Sequence, residues 1–227
     1  MLIGGFQKMT MLDYPGKVAC TIFTYGCNFR CPFCHNATLV IDEASLFDKE
    51  EILSYLYKRK NILDGVVVTG GEPLLQPDII DFLKELRETG LQIKLDTNGS
   101  FPEKLSEVID LGLVDYVAMD IKNSKEKYEM TVGAKIDLSK IEKSVEILLQ
   151  NRVDYEFRTT VVCQMHENAD FEKIGEWLRG AKRLFLQQFR DSENLIGKDL
   201  SCHTPQALEG FKSILKRTIN QVEIRGL

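Results

Sequence analysis

No run of the roughly 20 apolar residues that a membrane span needs occurs in this 227-residue chain. The first residues, Met1-Leu2-Ile3-Gly4-Gly5-Phe6-Gln7-Lys8, lack the basic segment and long apolar core of a secretory signal. A basic excess is missing as well. The net charge is −5, the wrong sign for most nucleic-acid binders, and the aromatic residues form no stacking pattern. Linkers, repeats and low-complexity tracts are absent. These absences leave a cytoplasmic globular protein with neither membrane nor nucleic acid as partner. They also favour one domain over 1–227, with a core over about 17–190 and a C-terminal helix and tail over 191–227. Apolar residues at 44% and charged residues at 28% suit a chain that buries a sizeable core.

One more absence concerns metal chemistry. Cys27, Cys31 and Cys34 stand at C-x3-C-x2-C spacing with no fourth cysteine nearby. In a cytosolic chain cysteines are thiols or metal ligands rather than disulfides. A cubane iron–sulfur cluster held only by protein takes four thiolates, so three leave one iron open. An open coordination position marks a reactive metal site, by the logic that separates catalytic from structural zinc. Zinc with His35 as fourth ligand is the plainer alternative, but His35 adjoins Cys34 and neighbours rarely reach one tetrahedral centre. A C-x2-C redox pair would leave Cys27 unexplained. Cys20, Cys163 and Cys202 are too far apart in sequence to define a second cluster and read as inert thiols.

What is present is alternation. Short β-branched runs over Val18–Thr24, Gly65–Thr69, Leu91–Asp96, Tyr116–Asp120, Tyr155–Val162 and Leu184–Phe189 predict strands. Amphipathic runs over Asp48–Lys60, Pro77–Glu88, Glu103–Leu111, Leu138–Leu149, Phe171–Arg179 and Pro205–Arg217 predict helices. Asp48 and Thr204 are expected N-caps, with Pro205 opening the last helix. Six repeats of strand then helix imply βαβ units and a parallel sheet.

Polar residues collect just where these strands end: Thr69-Gly70-Gly71-Glu72, Asp96-Thr97-Asn98, Asp120-Ile121-Lys122, Arg158-Thr159-Thr160 and Gln187-Gln188. A shared site at five carboxyl ends is the habit of a barrel rather than of an open doubly wound sheet. The expected fold class is therefore α/β, a partial (β/α)6 TIM-like barrel with parallel strands, open on one side. Gly70 and Gly71 allow close approach to the backbone, and Glu72 offers a carboxylate to a cationic group such as an amine. Alternation puts Lys94 with Asp96, Asp120 with Lys122, and Glu156 with Arg158 on common faces, where acid and base must pair or bind something.

The cysteine spacing, Phe33 before the third cysteine, and Gly70-Gly71-Glu72 resemble the radical S-adenosylmethionine superfamily. Met11-Leu12-Asp13-Tyr14-Pro15-Gly16-Lys17, Gly26 to Asn36 and Leu186-Gln187-Gln188-Phe189-Arg190 are similar to the activating proteins of anaerobic ribonucleoside-triphosphate reductase. These are relatives of the pyruvate formate-lyase activating enzyme. The resemblance implies that Cys27, Cys31 and Cys34 hold three irons of a 4Fe–4S cluster while S-adenosylmethionine chelates the fourth. It implies Gly70, Gly71 and Glu72 at the methionyl amine and Phe33 near the adenine. Asp96, Asn98, Lys122 and Arg158 would contact ribose and carboxylate, and a monovalent cation would sit at Asp96, Thr97 and Asp120. The implied reaction is reductive cleavage of S-adenosylmethionine to a 5′-deoxyadenosyl radical, which takes hydrogen from a glycine of a partner enzyme. The implied partners are that glycyl radical enzyme, here an anaerobic ribonucleotide reductase, and a one-electron donor such as flavodoxin or ferredoxin. The alternatives are an activase of another glycyl radical enzyme, a small-molecule enzyme such as 7-carboxy-7-deazaguanine synthase, and a non-catalytic metal-binding scaffold.

Overall fold

The computed structural model describes residues 1–41, 46–192 and 195–227, so positions 193 and 194 of the expected tail lie outside the described residues. The chain opens with β1 (Ile3–Thr10), which runs antiparallel to β2 (Ala19–Thr24). Helices α1 (Thr38–Ile41) and α2 (Lys49–Arg59) precede β3 (Gly65–Gly70). Then come α3 (Ile79–Glu88), β4 (Gln92–Thr97), α4 (Pro102–Asp110) and β5 (Tyr116–Asp120). Helices α5 (Tyr128–Val132) and α6 (Leu138–Leu149) lead to β6 (Asp154–Val161), α7 (Asn168–Trp177) to β7 (Arg183–Gln188), and α8 (Pro205–Leu215) to β8 (Gln221–Arg225).

The six expected strands are β2 to β7. The edge strands β1 and β8 escape a reading by pattern. Gly4, Gly5 and the exposed run Gln7-Lys8-Met9 hide the signal of β1, which has a single neighbouring strand to pair with. β8 is short, and its exposed Gln221 and Glu223 alternate with buried Val222. Helix starts follow local chemistry. The Asp48 carboxylate accepts from the N–H groups of Glu50 and Glu51 at 2.7 and 3.3 Å, and the Thr204 hydroxyl from that of Ala207 at 3.2 Å. α7 begins at Asn168 rather than Phe171, because the Asp170 carboxylate turns back to accept from Glu167 N–H at 3.0 Å.

The strands lie in sequence order from β1 to β8, and every pairing from β2 onward is parallel. Each crossover therefore steps the same way. Right-handed crossovers that never reverse put all the helices on one face. The other face curls inward, which gives a partial barrel. Valines 66, 67 and 68 of β3 are wholly buried, as expected of a strand with helices outside and side chains within.

Register decides what fills the concave face. Lys94 is level with Tyr116, Asp96 with Ala118 and Glu156, and Asp120 with Arg158 and Phe185. The amino-terminal end is plugged by a small cluster of Tyr14, Ala19, Val67 and Tyr116, with the two tyrosine rings 6.0 Å apart. The carboxyl-terminal end stays open.

Candidate active site

The three cysteines sit on the loop that leaves β2. The loop is held by its own backbone: Gly26 N–H donates to Leu39 O at 2.8 Å and Arg30 N–H to Val132 O at 2.9 Å. The Arg30 guanidinium donates to the carbonyls of Cys27 and Phe29 at 2.7 and 2.8 Å, and Cys34 N–H closes a turn onto Cys31 O at 3.0 Å. All three cysteines line one cavity at the carboxyl ends of the strands. Burial pushes the Cys27 thiol up to about 12 and the Cys31 thiol up to about 11, with Lys122 pulling both down. Metal binding here would release protons, since the ligand is the thiolate. Cys27 Sγ already accepts from Phe29 N–H at 3.3 Å, and Asn98 Nδ2 stands 3.9 Å from it.

The donor set fits an iron–sulfur cluster. A cubane takes one thiolate per iron, and three cysteines on one cavity leave one iron for another ligand.

Gly70 and Gly71 are required, though first by the chain itself. A Cβ on Gly71 would lie 1.9 Å from Gly26 O, and one on Gly70 would lie 2.2 Å from Thr24 N. The turn after β3 is pressed onto the exit of β2, with Gly71 N–H on Thr24 O and Glu72 N–H on Gly26 O, both at 2.9 Å. The Glu72 carboxylate is itself held by the chain. It is fully buried and accepts from Leu74 N–H at 3.1 Å, the Thr97 hydroxyl at 2.7 Å and Asn98 N–H at 2.7 Å. Burial pushes its pKa up to about 7 even though these donors pull it down. The side chain braces β3 against β4, and Asn98 passes the brace to the cysteine loop through Asn28 at 2.9 Å.

The same cavity holds a partly buried ion network. Arg158 donates to Asp96 at 3.0 Å and to Asp120 at 2.9 Å; Lys94 pairs with Asp96, and Lys122 with Asp120 at 2.9 Å. Burial alone would raise the Asp120 carboxyl, but Arg158 and Lys122 outweigh it and hold it at about 2. Asp96 is likewise held below the usual carboxylate range, since Arg158 and Lys94 outweigh its burial, whereas burial pulls Lys94 down. One expectation changes here. Glu156 does not pair with Arg158; it takes the Arg225 guanidinium at 2.7 and 3.0 Å and the Tyr116 hydroxyl at 2.8 Å. The guanidinium of Arg158 stands between Asp96 and Asp120, and the Thr97 hydroxyl donates to Glu72.

Cys27, Cys31, Cys34, Phe33, Gly70, Gly71, Glu72, Asp96, Thr97, Asn98, Asp120, Lys122 and Arg158 all line the same cavity. Phe33 is buried, with Lys122 Nζ 5.9 Å from its ring centre. Further lining comes from Thr160 and Gln187, both noted at strand ends, and from His35, Asn36 and Thr69. Thr160 had a usable signal, since it continues the alternation of Glu156 and Arg158. Asn28 and Ser100, which complete the Asn98 brace, had none.

Residues 21–178 match the Radical SAM superfamily, and the chain belongs to it. The family works with a 4Fe–4S cluster and S-adenosylmethionine, for which the cysteine loop and the polar cavity are the matching parts. The chain is 34% identical over 234 residues to a Methanocaldococcus jannaschii protein named for glycyl-radical enzyme activation, covering 99% of this chain and 95% of that one. It is 28% identical over 236 residues to the pyruvate formate-lyase 1-activating enzyme of Escherichia coli, covering 97% and 93%. Among solved structures, a domain of a pyruvate-formate lyase-activating enzyme from Bacteroides vulgatus superposes with a TM-score of 0.59 at 20% identity, over 71% of this chain and 99% of that one. Among the described residues no helix is long and apolar enough to cross a membrane.

Proposed function

We propose that this protein activates a glycyl radical enzyme, and that its partner is an anaerobic ribonucleoside-triphosphate reductase. When bound, the cluster and S-adenosylmethionine supply a 5′-deoxyadenosyl radical that takes a hydrogen atom from a glycine Cα of the partner. The chain's own residues position and shield. Cys27, Cys31 and Cys34 hold the cluster. The Gly70-Gly71 turn brings backbone close to it, and the Glu72–Asn98 brace fixes the cysteine loop against β4. The ionised Asp96, Asp120, Lys122 and Arg158 present a preorganised polar wall for the charged ends of S-adenosylmethionine. Tyr14 and Tyr116 close the far end of the barrel against water.

The observation that carries this reading is the set of three cysteines lining one cavity at the open end of an incomplete barrel. That opening suits a loop of another macromolecule, and the whole-length similarity to named activating enzymes points the same way. The test is anaerobic reconstitution with iron, sulfide, reductant, S-adenosylmethionine and the candidate reductase. The expected result is 5′-deoxyadenosine together with a glycyl radical signal in electron paramagnetic resonance. No 5′-deoxyadenosine would sink the enzyme reading. 5′-Deoxyadenosine with no glycyl radical in any partner would move the assignment to a small-molecule substrate.

A further inference from the structure

Residues 195–204, which lead into α8, are fastened in three places. At Gly197 its N–H donates to Pro32 O, between two cluster cysteines, at 2.7 Å; a Cβ there would stand 2.6 Å from the Pro32 side chain. At Ser201 its carbonyl accepts from Cys163 N–H at 2.9 Å. The Gln164 amide grips the same residue, accepting from Ser201 N–H at 3.0 Å and donating to its hydroxyl at 2.9 Å. At His203 the carbonyl accepts from Gln188 Nε2 at 3.2 Å, and the ring Nε2 bonds His166 O at 3.0 Å.

Two thiols flank the middle fastening. Cys163 makes the hydrogen bond to Ser201, and Cys202 is the next residue along. Both are exposed, in contrast to Cys20 and Cys31, which are buried. The backbone of Cys163 is bonded to the carbonyl that joins Ser201 to Cys202, which leaves the two cysteines one peptide unit apart across that bond, on the scale of the roughly 4.4–6.8 Å between Cα atoms that a disulfide spans. The sequence separates these cysteines widely; the fold brings their backbones together.

We propose that Cys163 and Cys202 are a reversible disulfide pair, which makes this a modification site that ties the segment to β6 and, through Gly197 and Pro32, steadies the cysteine loop. The oxidant is a low-molecular-weight disulfide of the glutathione class. One cysteine thiolate attacks it, forming a mixed disulfide and releasing one small thiol. The second cysteine thiolate then attacks the first cysteine's sulfur, the protein S–S bond forms and a second small thiol leaves. The two cysteine protons end on the two released thiols. The protein loses two electrons and the small disulfide gains them. The proposal does not depend on the partner enzyme named above.

The experiment uses the iron-loaded protein under anaerobic conditions, where the cluster occupies Cys27, Cys31 and Cys34. Glutathione disulfide is added, remaining thiols are alkylated, and unreduced peptides are mapped by mass spectrometry. The expected product joins the Cys163 and Cys202 peptides, reverts with dithiothreitol, and slows amide exchange over residues 195–203 at least several-fold. In Cys202→Ser, Cys163 should instead accumulate as the glutathione adduct. Cys163 and Cys202 carrying separate adducts in the wild-type protein, or both alkylated with no joined peptide, would overturn the proposal. So would a joined peptide with unchanged exchange over 195–203.

Discussion

Cys31 is the most enclosed of the three ligand thiols, at 6% exposure, whereas Cys20 lies on the helix-facing side of β2 and reaches no cavity. The two cysteines are close in sequence and differ in role. Cys31→Ala is expected to lose most of its iron after reconstitution, while Cys20→Ala keeps it, measured as iron per chain. Equal loss in both would refute the ligand assignment. The cysteine trio was legible because its members are sequence neighbours, so spacing alone encodes proximity. Glu72 was legible as a position, but its hydrogen-bond donors were not. Which way a carboxylate turns depends on donors from Leu74, Thr97 and Asn98, and two of those come from another strand.

At the scale of elements, the exits of β2 and β3 act as one unit. Gly71→Ala must push Gly26 away, which would part the cysteine loop from the β3 turn. Overpacking of this kind costs about 1–3 kcal/mol. The variant should unfold at lower denaturant and hold less iron per chain, and wild-type values of both would show that the turn adapts. The ion network spans β4, β5 and β6. Arg158→Ala takes from Asp96 and Asp120 the partner they share and leaves each with one lysine, a loss of stability measurable by urea unfolding at neutral pH. The sign with pH follows from Asp120. Its carboxyl titrates near 3.8 when unfolded and at about 2 in the folded chain. Its contribution is therefore present above 3.8 and is lost as pH falls through about 2. Without Arg158 the folded value rises, so acid unfolding of the variant should begin at higher pH than in the wild type. An unmoved acid transition would mean that Lys122 suffices.

For the whole molecule, the ends of the chain shape the barrel more than pattern suggested. β1 and β8 widen the sheet to eight strands, and β8 delivers Arg225 to Glu156, with the guanidinium 3.3 Å over the Phe185 ring. Arg225→Ala should lower the urea midpoint, because Glu156 is fully buried and keeps only the Tyr116 hydroxyl as partner. An unchanged midpoint would show that Arg225 is not needed to hold Glu156.

The sequence by itself determined the cysteine trio, the alternation of six strands with their helices, and the crowd of polar residues at the strand ends. Each of these is written in local spacing, in periods of two or 3.6, or in neighbouring residues. Only the tertiary structure decided the partners. Arg158 pairs with Asp96 and Asp120 rather than Glu156, Glu72 braces β3 against β4, and Cys163 bonds the carbonyl of the residue before Cys202. Those choices depend on strand register and on how far the sheet curls. Both are set by the packing of the whole chain, which no local stretch of sequence encodes.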